Sequence, residues 1–102
     1  MSVASQYPSH GARFQLRLGQ RDDTHVRYDV HVYRPTLCVQ FALAIALEDG
    51  AVDVTPRGVE QADPAGEEAP PEWIAVHVGK LGRQLAKSKS WPRRFDRWRD
   101  DP

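Results

Sequence analysis

The sequence has one cysteine, Cys38, among 102 residues. A disulfide within the chain is excluded, and Cys38 lies in an apolar run, where a free thiol behaves as a small hydrophobe and suits a reducing compartment. Net charge is missing too. The 14 Lys and Arg residues balance 14 Asp and Glu, so no overall field draws the molecule to nucleic acid or an anionic membrane. The longest apolar run, Leu37 to Leu47, falls well short of the roughly 20 residues that cross a bilayer as a helix. Met1 to Gly11 have neither a basic start nor an apolar stretch, so no secretory leader is expected and the cytoplasm is the expected compartment. Metal and cofactor motifs are absent as well: no CxxC, HExxH, EF-hand loop, phosphate-binding glycine loop or GxGxxG occurs. No cofactor and no membrane partner are expected, and a small-molecule ligand has no positive support.

What is present is alternation. Phe14, Leu16 and Leu18 alternate with Arg13, Gln15 and Arg17, and Val26, Tyr28, Val30 and Val32 alternate with Arg27, Asp29, His31 and Tyr33. Both segments read as half-buried strands. After an Arg34-Pro35-Thr36-Leu37 turn, a third strand carries large residues at its odd positions and Cys38, Gln40, Ala42, Ala44 and Ala46 on its other face. Two coverable faces place it centrally. Asp49-Gly50 predicts a type I′ turn into a fourth strand, Ala51 to Thr55.

Turn lengths then predict the register. A two-residue turn at Pro35-Thr36 pairs Val32 with Val39, Val30 with Phe41, Tyr28 with Leu43 and Val26 with Ile45. A two-residue turn at Asp49-Gly50 pairs Leu47 with Val52 and Ile45 with Val54, and a loop after Gly19 sets Leu18 opposite Val26 and Phe14 opposite Val30. Every large apolar residue falls on one face, the core face.

Residues 56 to 71 hold four prolines, two glycines and mostly acidic charge, the composition of an exposed linker. Pro70-Pro71 suit the first turn of a helix, where Ile74, Val78, Leu81 and Leu85 make one apolar stripe. Gly79 and Gly82 weaken that helix unless they permit close approach to the sheet. Ser90-Trp91-Pro92 predicts a second, short helix with Trp91, Phe95 and Trp98 at i, i+4, i+7. The expected fold class is therefore α+β, a four-stranded antiparallel β-meander followed by a long C-terminal helix and a short terminal helix, in the order ββββαα. Residues 1–12, including Tyr7, are expected to be a disordered start and 13–102 one domain. Tyr28 and Trp73 are expected as core-edge aromatics.

Charge is uneven: residues 48–73 hold eight acids against one base, and 77–102 hold eight bases against three acids. A basic, aromatic tail points to nucleic acid, with Lys87, Lys89, Arg93, Arg94, Arg97 and Arg99 on phosphates and Trp91 or Trp98 stacking on bases. The same aromatic spacing also fits plain docking onto the core. Ala42, Ala44 and Ala46 leave a shallow strip on the second sheet face, which those rings, a second copy of the sheet or a partner's helix could cover. Arg27, His31, Gln40, Ala42 and Ala44 are its candidate contact residues. The leading expectation is a non-enzymatic interaction module that binds a protein partner or forms a homodimer through the small-residue sheet face and the aromatic C-terminal segment; nucleic-acid binding through the tail comes second. A third option is a small-ligand-binding protein or an enzyme with Cys38 as nucleophile, His31 as base and Asp29 as orienter, without a local signature to raise it. As metal ligands the same group supplies only three donors, and His10, His25 and His77 are scattered singles.

Overall fold

Each alternating segment forms a strand, and the polar breaks between them form turns. A computed structural model describes residues 7–102; residues 1–6 of the expected disordered start lie outside the described residues. The elements are β1 (Ala12–Arg21), β2 (His25–Tyr33), β3 (Leu37–Ala46), β4 (Val52–Gln61), α1 (Glu72–Ser88) and β5 (Arg94–Arg99). They make an α+β fold, one antiparallel five-stranded sheet in the order β4-β3-β2-β1-β5 with one helix on it. No described helix is long and apolar enough to cross a membrane.

The β2–β3 register is the predicted one, Val32 to Val39 through Val26 to Ile45. The flanking pairs each differ by two residues. On one side Leu43 pairs with Val54 and Ile45 with Val52, because four residues, Leu47 to Gly50, lie between Ala46 and Ala51, which are bonded through Ala46 N to Ala51 O at 2.8 Å, with Gly50 N to Ala46 O at 2.9 Å inside the turn. A type I′ turn needs positive φ at both central residues, and only Gly50 adopts it, at +74°. On the other side Phe14 pairs with Val32 and Leu18 with Tyr28, with a bulge after Leu18. Gly19 is absorbed into the strand there, so the loop shrinks to Asp23-Thr24. Asp22 anchors this turn, accepting from Thr24 N, Thr24 Oγ1 and His25 N, each at 2.8 Å. A shift of two preserves facing, so the core set survives both differences.

Two further expectations are corrected. β4 does not end at Thr55 but runs through Pro56 to Gln61, with a bulge opposite Gln40 and Phe41. It is an edge strand, where a proline without an N–H is tolerated. The predicted short terminal helix is a strand, β5, paired antiparallel to β1 from Ala12–Arg99 to Arg17–Arg94. Without it, β1 would expose a full row of backbone donors and acceptors.

α1 begins directly after Pro71 and buries Ile74, Val78, Leu81 and Leu85 against the sheet. A Cβ on Gly82 would come within 2.9 Å of Leu43 Cδ1 and Val52 Cγ1, so the glycine is what lets the helix sit this close. Trp91 and Phe95 extend the cover beyond the helix end, and Tyr28 donates to Pro92 O at 2.8 Å.

Candidate functional site

The helix covers one face of the sheet, and among the described residues no element packs across the centre of the other. The pairing writes that outer face as rows. Trp98, Arg13, Tyr33, Cys38 and Glu60 form the first, and Asp96, Gln15, His31, Gln40 and Gly58 the second. Arg94, Arg17, Asp29, Ala42 and Thr55 form the third. Beyond the bulge at Gly19 follows Arg27, Ala44 and Asp53.

Alanine is the small residue in an otherwise long-chained surface, so the β3 column sinks into a trough. Ala42, Ala44 and Ala46 form its floor, Arg27 and Asp29 one wall, and Asp53, Thr55 and Arg57 the other. The sheet-face residues singled out by sequence, Arg27, His31, Gln40, Ala42 and Ala44, all lie on this face. Asp53 and Thr55 belong to the expected fourth strand, and its Val52, Asp53, Val54, Thr55 alternation is the signal that puts both on this face; Arg57 lies past Pro56, where the sequence predicts the strand to have ended.

The aromatic and basic tail is not brought together on one surface. Strand alternation sends Arg94, Asp96 and Trp98 to the outer face and Phe95, Arg97 and Arg99 to the helix side. Trp98 is 52% exposed, edge-on to His10 at 5.3 Å and lying on Gly11, where a Cβ would meet its ring at 2.9 Å. Arg97 stacks on Phe95 at 4.3 Å, and Arg94 pairs with Asp96 at 3.3 Å. Arg99 is committed inward: it lies over Trp73 at 5.5 Å and donates to His77 Nδ1 at 2.9 Å. A guanidinium cannot accept, so the His77 proton sits on Nε2. Burial first, then Arg99 and Lys80, hold the His77 pKa below its ordinary 6.5. Lys87 and Lys89 are exposed at the helix end, with Lys89 in the left-handed conformation at φ 53°. Arg93 is exposed just before β5, and Trp91 is half-buried against the core.

One end of the sheet is held by charge. Arg34 donates to both carboxylate oxygens of Asp101, at 2.6 and 3.2 Å, and to Gly11 O at 2.8 Å. Its hydrogen bonds keep the Asp101 carboxyl below the usual carboxylate range.

Cys38 is 3% exposed. Burial, and then Glu60, push its thiol up to about 11, the opposite direction from the lowered pKa of an activated cysteine. His31 lies edge-on to Tyr33 at 6.2 Å. Among the described residues no group of three or more His, Cys, Asp and Glu side chains is placed to hold a metal ion.

No protein-family model, curated protein or solved structure matches the chain, so its function is argued from the geometry of these surfaces.

Proposed function

We propose that the chain is a non-enzymatic interaction module that binds a protein partner, or a second copy of itself, across the uncovered face of its sheet. The observation that supports this most is the alanine trough. Three methyl groups in a row on a central strand are apolar surface, and walls carrying both signs of charge give an incoming surface a preferred orientation. Trp98, exposed and held in place by His10 and Gly11, adds a fixed aromatic at the far corner of the same face, the residue type that most often dominates protein interfaces.

For self-association the rows have a specific merit. A two-fold axis along β3, between two facing copies, lays Arg27 over Asp53 of the second copy and Asp29 over Thr55, since each pair shares a row with a central alanine. Arg27 already donates to Asp22 at 3.1 Å, but both side chains are half exposed and such surface pairs contribute little.

The test is a photo-crosslinking residue placed at Ala44, with Glu67 as the control position, in cells that express the chain. Adducts of defined mass that form from position 44 and not from 67 are expected; twice the chain mass identifies a second copy and any other mass a protein partner. The same smear, or nothing, from both positions would overturn the proposal.

A further inference from the structure

The opposite side of the molecule carries a second surface. At 3.6 residues per turn, Val76, Lys80, Arg83 and Lys87 originate on the half of the helix opposite the buried stripe of Ile74, Val78, Leu81 and Leu85, with the Arg83 guanidinium folded back over Gly79. All four are exposed, Val76 at 57%, and among the described residues none of the three cations makes an ion pair within 4 Å. Lys89 caps the helix at the same end. Glu48 and Asp49 of the β3–β4 turn share a groove with Arg83, Lys87 and Lys89, and Lys80 lies outside it.

From this we infer that the outward face of α1 binds the phosphate backbone of a double-stranded nucleic acid, without reading sequence. Lys80 to Lys87 span about 10 Å of helix, roughly three nucleotides of rise along one strand. The face offers no exposed aromatic on which an unpaired base could stack, which favours a duplex over a single strand. It also lacks the apolar side that an interfacial helix inserts between lipids, because the apolar stripe of α1 is spent on the sheet and only Val76 remains outside. An anionic membrane is therefore the weaker match for the same charges.

The experiment is fluorescence anisotropy of the intact chain with a labelled DNA duplex of about 20 base pairs, an unlabelled single strand as competitor, and vesicles of equal parts phosphatidylserine and phosphatidylcholine. Three to four phosphate contacts predict that affinity falls about 40- to 150-fold between roughly 50 and 200 mM salt. Lys80→Gln should reduce the log–log salt slope by about 0.9, and the K80Q/R83Q/K87Q chain should lose binding. Arg21→Gln, exposed at the far end of β1, should change nothing. The substituted side chains are exposed, so an unchanged melting curve separates lost binding from lost fold. Absence of duplex binding at low salt, full binding by the triple variant, or preference for the single strand or the vesicles would each overturn the inference. Crosslinking at Ala44 is independent of all these outcomes.

Discussion

Gly79 and Gly82 are three residues apart on α1, yet substitution by alanine should act in opposite directions. In a helix interior the change from glycine contributes about 0.8–1.0 kcal/mol of propensity at either site. At Gly79 the new methyl would meet only Arg83 Nη1 at 3.5 Å and Val54 Cγ2 at 3.8 Å, which are ordinary contacts. Gly79→Ala should therefore stabilise by close to the full propensity term, raising the melting temperature by about 4–8 °C. At Gly82 the methyl would stand 2.9 Å from both Leu43 Cδ1 and Val52 Cγ1. Leu43 is fully buried, and a β-branched valine has little rotamer freedom to yield. Overpacking of this kind costs about 1–3 kcal/mol, leaving Gly82→Ala destabilised by about 0–2 kcal/mol, so the two variants should differ by about 1–3 kcal/mol. Urea unfolding of both, at one pH, measures that difference directly. Equal stability, or a more stable Gly82→Ala, would mean that the helix does not lie on β3 and β4 as closely as described.

Two further outcomes follow from the placement of the tail. Phe95→Ala should cost about 1.5–3 kcal/mol, part of the full core value because Phe95 is only half-buried, whereas Trp98→Ala on the outer face should cost about 1 kcal/mol or less. The reverse order by chemical denaturation would restore the amphipathic helix in place of β5. Because the folded pKa of His77 lies below its unfolded value, the unfolded chain binds more protons, and stability should fall as pH drops through about 6.5 towards the folded pKa. Thermal melts from pH 8 to 5 should show this loss in the wild type and a flatter profile in His77→Gln, whose amide oxygen can still accept from Arg99; parallel profiles would refute it. The depressed carboxyls of Asp22 and Asp101 act lower, below about pH 4.

Where the sheet was legible, one periodicity and one turn length agreed. Val26 to Val32 and Leu37 to Ile45 alternate without exception across a turn whose Arg34 N bonds Leu37 O at 2.7 Å, and there pairing was right to the residue. Gly19 and Asp49-Gly50 misled by two residues because a glycine tolerates several backbone solutions: the bulge at Gly19 and the four-residue connection at Gly50 are choices of the local chain that composition does not distinguish. Pro56 hid half of β4, since a proline's missing donor matters only if a neighbour needs it, and whether β4 is an edge is a property of the whole sheet.

The tail and the helix show the same effect on charge. Between Arg93 and Arg99 the cations are nearly contiguous in sequence, and a helix would have spread them around one cylinder with Trp91, Phe95 and Trp98 together. Pairing with β1 is non-local and satisfies backbone groups that no window of the tail reveals; once formed, it turns successive side chains to opposite faces and divides the arginines between them. Lys80, Arg83 and Lys87 are spaced in sequence and gather in space, because the helix there is held by the burial of its other side. Clustering of charge along a chain is thus informative only after the period of the backbone is known. In this molecule the two candidate surfaces, the alanine trough and the cationic helix face, are both products of that period.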